Sequence, residues 1–102
     1  MISNTLQRLG LDTGLDGFNY LVTAIELHTD WGLSTMELYA EVARLYHTTV
    51  KCVEHASRYA VREGWLHRDA STAYAVFGNN EDIPTTGKFI KQVSKYYKHK
   101  GD

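Results

Sequence analysis

Five polar side chains recur along residues 50–65 at intervals that would bring them to one side of a helix. They are Lys51, Glu54, His55, Arg58 and Arg62, and at 100° per residue they form one stripe. Such a stripe offers nucleic-acid chemistry, because arginine can grip guanine, glutamate can accept from the cytosine amino group, and lysine or arginine can pair with phosphate. The plainer interpretation is that the stripe is the solvated face of an ordinary helix.

The opposite side of the same segment is lined by small residues, which favours close packing against a neighbouring element. On that side lie Val53, Ala56, Ser57, Ala60 and Gly64. An amphipathic segment precedes it at residues 38–46, and a short break covers residues 47–49. Two helices joined by so short a turn are the helix-turn-helix unit, whose second helix enters the major groove of DNA. Glycine is the commoner turn residue, and here the position is occupied by His47.

The two threonines at the break could serve the second helix in two ways. Thr48 or Thr49 can cap it, because a threonine oxygen accepts from the free N–H groups of the first turn. The same helix end could receive a phosphate. We therefore expect Thr48, Thr49, Lys51 and Arg62 to contact DNA phosphates.

Length and composition indicate one globular domain across residues 1–102. The hydrophobic content of 43% is enough for a modest single core. There is no run of 18 apolar residues, and the N-terminus lacks the charged and apolar regions of a secretory signal, so we expect no membrane span. The single cysteine permits no intrachain disulfide, which fits a cytoplasmic location.

Charge is distributed unevenly, although the formal net charge is only −1. Residues 1–47 carry a balance of −4 and residues 71–83 a balance of −2, whereas residues 48–70 carry +1 and residues 84–102 carry +4. The low net charge argues mildly against a nucleic-acid binder, but the positive charge gathers where contact with DNA is expected. The acidic first half would face away from DNA or toward a protein.

Periodicity and capping signals predict an all-α, compact bundle of about five to six helices. A first helix covers residues 3–9 and ends at Gly10, and a second covers residues 15–28, followed by a connection at residues 30–33. The predicted buried face of the second helix consists of Phe18, Leu21, Val22 and Ile25. Ser34 and Glu37 fit a capping box that opens a third helix ending at about Tyr46. The predicted core contacts of this helix are Leu38, Val42, Leu45 and Tyr46.

The remainder of the chain predicts a turn at residues 66–69, a short helix at residues 71–77 stopped by residues 78–80, and a final helix opened by Pro84 and Thr85. The apolar arc of the final helix consists of Phe89, Ile90, Val93, Tyr96 and Tyr97. The opposite arc consists of Lys88, Lys91, Lys95 and Lys98. This lysine arc is either a solvated face or a surface that attracts DNA phosphates.

No pattern of an enzyme or a metal site is apparent, so we expect neither catalysis nor a cofactor. The histidines do not combine on one helix with a carboxylate or thiol to complete a zinc set. Neither a glycine-rich phosphate loop nor a nucleophile elbow is present. Cys52 lies three residues before His55 and could in principle be a nucleophile, but we expect it to be a small buried residue.

An ordered series of short segments resembles the C-terminal, DNA-binding domain of the master regulator of sporulation initiation, stage zero sporulation protein A. The matching segments are residues 9–11, 17–21, 24–25, 38–39, 42–43, 48–49, 53–54, Ala56, Arg58, Trp65, residues 77–78, 84–85 and 89–90. They cover nearly the whole chain, and their order is specific for the fold more than for the DNA target.

The resemblance implies the effector domain of a response regulator, a sequence-specific transcription regulator of sporulation with residues 50–65 as its recognition helix. Glu54 and Arg58 match family positions that read bases, and we add His55 to them as a base-reading residue. A contact with the RNA polymerase sigma subunit is implied around residues 71–78, where we select Ser71, Tyr74 and Phe77. A homodimer on double-stranded DNA is also implied, because the family tends to bind as tandem dimers.

The chain also departs from the family pattern. Cys52 and His55 occupy positions where the family is expected to carry arginines, and the loss of those charges would weaken affinity and alter the preferred sequence. No receiver domain precedes the effector domain within residues 1–102, so a receiver either never existed or was removed. The alternative function is a non-enzymatic protein-interaction module that pairs with a related regulator or with RNA polymerase.

Overall fold

Six helices make up most of the chain in the computed structural model, which describes residues 1–79 and 81–100. They are α1 (Ile2–Arg8), α2 (Asp16–Trp31), α3 (Thr35–Leu45), α4 (Val50–Trp65), α5 (Ala70–Phe77) and α6 (Thr86–Lys100). The described residues form no strand. The predicted all-α bundle of five to six helices is therefore confirmed. Asn80, which the prediction included in the stop after α5, lies outside the described residues.

Helix α2 is the centre of the bundle, and it contacts α1, α3, α4 and α6. Its predicted inner face is confirmed at Phe18, Leu21 and Ile25, which are buried, whereas Val22 is half-buried. Helix α6 completes the core from the other end of the chain. Its buried apolar residues are Phe89, Ile90 and Val93.

Local hydrogen bonds define several helix ends as the sequence predicts. Gly10 has a φ of 89° and closes α1, because its N–H donates to the Gln7 carbonyl (2.9 Å) while the Leu11 N–H donates to that of Leu6 (3.0 Å). The capping box at α3 is confirmed: Ser34 Oγ accepts from the Glu37 N–H, and the Glu37 carboxylate accepts from the Ser34 N–H at 2.9 Å. Hydrogen bonds from the Ser34 backbone N–H and from its side chain lower the pKa of the Glu37 carboxyl.

Two predictions about α2 and α3 are wrong. Helix α2 continues to Trp31, because no breaker occurs before Gly32, which closes the helix at a φ of 64°. Leu45 and Tyr46 are 45% and 41% exposed rather than in the core. The buried face of α3 is centred between residues 39 and 42, which places Leu45 at its edge. Tyr46 follows the last helical residue, and its ring packs on that of Tyr20 with centroids 5.1 Å apart.

Candidate nucleic-acid interface

A sharp turn joins α3 to α4. His47 has a φ of 55°, in the left-handed region. Its N–H donates to the Arg44 carbonyl at 3.4 Å, and the Thr48 N–H donates to the Ala43 carbonyl at 2.9 Å. The same pair of bonds closes α1 at a glycine, so His47 performs the backbone role that glycine usually has. The predicted helices and the break between them are confirmed, with α4 covering the expected residues 50–65.

The structure distinguishes the roles of the two threonines before α4. Thr49 caps the helix, because its Oγ1 accepts from the Cys52 N–H at 3.0 Å. The O–H of Thr49 can still donate outward. Thr48 is half-buried and hydrogen-bonds to Tyr20. Desolvation and the charge of Asp16 raise the pKa of the Tyr20 hydroxyl, and the bond to Thr48 partly opposes that rise.

The inner face of α4 packs so closely against α2 and Leu11 that there is no room for a Cβ at Gly17 or Gly64. A Cβ built at Gly17 of α2 would lie 2.1 Å from the Ala56 carbonyl oxygen, and one built at Gly64 would lie 2.6 Å from Leu11 Cδ1. At the end of α4, the indole N–H of Trp65 donates to the Glu81 carbonyl at 3.1 Å. The helix is therefore held along its whole length. The small residues predicted on this face are buried, except Ala56, which is half-buried.

The outer face of α4 carries the predicted polar stripe. Lys51, His55, Arg58 and Arg62 are exposed, and Glu54 is half-buried. Glu54, Arg58 and Arg62 line one wall of an open groove of about 500 Å³, whose other walls are Tyr39 and the chain leading into α6. His55 borders two further depressions, one shared with Thr49 and Lys51 and the other with Arg58 and Arg62. All the predicted base and phosphate contacts on α4 thus share one surface.

The stripe differs in its bonding from a charged pair on α3. Arg44 of α3 forms a salt bridge with Glu41, which lowers the pKa of the Glu41 carboxyl. Within the described residues, neither Glu54 nor Arg58 forms a salt bridge. Their hydrogen-bonding atoms are therefore not committed to each other.

A family described as the sporulation initiation factor Spo0A C terminal matches residues 2–97, which is nearly the whole chain. The chain belongs to the Spo0A C-terminal family. This family is the DNA-binding effector domain of a sporulation regulator and is not a known enzyme family. Membership in the Spo0A C-terminal family accounts for both the helical fold and the helix-turn-helix unit described above.

One prediction about α4 is wrong. Cys52 is exposed rather than buried. It precedes the buried Val53, so it lies about 100° away from the inner face in the first turn of α4. Tyr59 was not among the predicted site residues, but it is 56% exposed and borders the same depression as Arg58 and Arg62. Its spacing of four residues from His55 could have indicated this position.

The three residues expected to contact RNA polymerase do not form one surface. Ser71 and Tyr74 are exposed on α5. Phe77 is half-buried, with its ring centroid 5.3 Å from that of Trp65 and 5.6 Å from that of Phe89. The ring of Phe77 therefore supports the packing of α4 and α6 and has little surface left for a partner.

Residues 1–79 and 81–100 show neither a metal-binding cluster nor a membrane-spanning helix. No three histidine, cysteine, aspartate or glutamate side chains converge there as a metal site would require. None of the helices in this part of the Spo0A C-terminal domain combines the length and apolar character needed to cross a bilayer.

Proposed function

We propose that this chain regulates transcription in the cytoplasm by reading double-stranded DNA with α4 in the major groove. Arg58 grips guanine, Glu54 accepts from a cytosine amino group, and His55 is a further base-reading residue. Lys51, Arg62 and the Thr49 hydroxyl contact phosphates, which hold the helix in register. Thr48, which lies beside Tyr20, contacts a further phosphate.

The observation that carries this proposal is the exposed stripe on α4, held from behind by backbone-distance packing. An interface of this kind requires side chains that are free to bond outward on a helix that does not shift. Glu54 and Arg58 meet the first requirement, and the contacts of Gly17 and Gly64 supply the second.

The test is selection from a random duplex library, followed by binding titrations at about 50 and 200 mM salt. Arg58→Ala should weaken binding to the selected sequence by about 1–3 kcal/mol and relax the preference at one base pair. Lys51→Ala should weaken all sequences alike, because a phosphate contact carries no sequence information.

The matched control is Arg8→Ala, which removes the same charge from α1, a helix that carries none of the proposed DNA contacts. It should leave both affinity and sequence preference nearly unchanged. An unchanged preference in Arg58→Ala would refute the base-reading role of Arg58. A library without any enriched motif would refute sequence-specific reading by the domain as a whole.

A protein-interaction module is the second candidate, favoured by the −4 balance of residues 1–47 and by exposed apolar side chains nearby. Trp31 and Met36 are 74% and 65% exposed at the junction of α2 and α3. Such a module would pair with a related regulator or with RNA polymerase, whose sigma subunit would meet Ser71 and Tyr74. It would bind DNA poorly, and it would still bind its partner protein when Arg58 is replaced.

Assembly on DNA is the remaining part of the proposal. A homodimer on adjacent sites would place two α4 helices in successive stretches of major groove. Titration of the selected duplex followed by sedimentation would give the number of chains bound per site, and a single chain at saturation would contradict the dimer.

A further inference from the structure

The groove beside the stripe is formed by α3, α4 and the start of α6, and α6 is distant in the sequence from the other two helices. One wall carries Glu54 and Arg58 of α4, another carries Tyr39 of α3, and the third carries Thr86 and Gly87 at the start of α6. The two residues proposed to read bases therefore share a cavity with a tyrosine hydroxyl.

Tyr39 is 5% exposed, and it belongs to the buried face of α3 together with Leu38 and Val42. A phenylalanine ring would pack in the core equally well. The hydroxyl of Tyr39 is therefore not required for packing and can have a role in the groove. Burial raises the pKa of this hydroxyl, and a hydrogen bond from Thr86 opposes the rise. The charge of Glu54 also raises the pKa of this hydroxyl and that of Arg58 lowers it. Tyr39, Glu54 and Arg58 line the same groove.

Thr86 is held firmly where it meets Tyr39. It is buried, and a Cβ built on the next residue, Gly87, would lie only 2.9 Å from Thr35 Oγ1 at the start of α3. The cap of α6 is supplied by Thr85, whose Oγ1 accepts from the Lys88 N–H at 3.2 Å. The Thr86 hydroxyl is thus not needed for capping and is available to the tyrosine.

Glu54 and Arg58 are four residues apart, a spacing at which opposite charges on a helix attract each other. A salt bridge between them would occupy the atoms that each needs for a base. A hydroxyl beside the pair would supply Glu54 with another donor. Arg58 would then remain free of Glu54, and less rotamer entropy would be lost when DNA binds.

We infer that Tyr39 is a positioning residue for base reading: with its oxygen bonded to Thr86, it donates its proton toward Glu54 and keeps Arg58 free to reach guanine. This role rests on the proposed function of α4 as the reading helix. It assigns a specificity-determining position to a helix outside the expected DNA contacts.

The test uses Tyr39→Phe, which removes only the hydroxyl, with Tyr97→Phe near the far end of α6 as the matched control. The loss of one hydrogen bond predicts binding to the selected sequence that is about two- to tenfold weaker. Binding to an unrelated duplex should not change, and discrimination at the base pair read by Arg58 should fall. Thermal unfolding of each variant shows whether packing has changed, and Thr86→Val provides a second route to the same loss.

A double-mutant cycle with Arg58→Ala separates positioning from a structural effect. In the Arg58→Ala background, Tyr39→Phe should cause no further loss, because the side chain through which it acts is gone. An equal loss in both backgrounds, or unchanged discrimination in Tyr39→Phe and Thr86→Val, would overturn the positioning role alone. If wild type and Arg58→Ala bind every sequence alike, the proposed function and this inference fail together.

Discussion

The turn before α4 contains a strained backbone position. His47 is the one non-glycine residue with a positive φ among residues 1–79 and 81–100. A left-handed conformation costs a residue with a Cβ about 1–2 kcal/mol of steric strain. Glycine avoids most of this strain, but ordering its more flexible backbone on folding costs about 0.5–1 kcal/mol. The turn has this geometry because α3 must close within two residues before Thr49 caps α4.

His47→Gly should therefore raise the free energy of unfolding, by up to about 1 kcal/mol. His47→Val should lower it by about 1–2 kcal/mol, because a β-branched side chain tolerates this φ poorly. Urea denaturation measures both changes. His67→Gly, at an exposed position without a positive φ, is the control and should not stabilise the protein. A His47→Gly variant less stable than His47→Val would contradict this account of the turn.

Single residues were predicted less well than their helix faces. Periodicity identifies a direction around the helix axis but not how far a neighbour reaches, so Leu45 was expected inside and is exposed. Cys52 was judged by its residue type, which is usually buried, whereas its angle on α4 exposes it. Tyr39 could not be recognised as part of a site, because its partner Thr86 is 47 residues away and meets it only through the fold.

At the scale of elements, helix ends were predictable where a local hydrogen bond defines them. Ser34 with Glu37 and the glycine after α1 supply such bonds within a few residues, and those ends are where the sequence predicts them. The end of α2 was missed because its last turn has no stop signal before Gly32. The close approach of α2 to α4 at Gly17 could not be predicted, because a glycine in a sequence is as typical of a loop as of close helix packing.

Gly17→Ala tests that approach. An alanine in a helix is ordinarily more stable than glycine by about 1 kcal/mol. Here the new methyl group would lie 2.1 Å from the Ala56 carbonyl oxygen, so α4 must shift and stability should fall by about 1–3 kcal/mol. Chemical denaturation gives the value, and the titrations on DNA should show weaker binding by a displaced α4.

The control for Gly17→Ala is Gly87→Ala near the start of α6. Its obstruction within 3 Å is a side-chain atom, Thr35 Oγ1 at 2.9 Å, which can rotate away. The cost should therefore be smaller than at Gly17. Equal losses from the two substitutions would show that backbone contact between α2 and α4 has no special importance.

For the whole molecule, the decisive feature is where the positive charge lies relative to α4. The groove beside Arg58 meets only the first residues of α6. Lys91, Lys95 and Lys98 instead border a shallow depression with His28, toward the other end of that helix. At 1.5 Å per residue, Lys98 lies roughly 18 Å along α6 from Thr86, about twice the screening length at physiological salt.

The far end of the lysine arc should therefore be a solvated face rather than a phosphate-binding surface. The number of phosphates contacted sets the slope of log affinity against log salt, at about 0.9 per contact. Lys98→Gln should leave that slope unchanged, whereas Arg62→Gln on the stripe should reduce it by about 1. Both substitutions remove one exposed charge, so a general electrostatic effect would act on them alike. A slope reduced equally by both would mean that DNA also reaches the far end of α6, and the phosphate-binding alternative for the lysine arc would be the correct one.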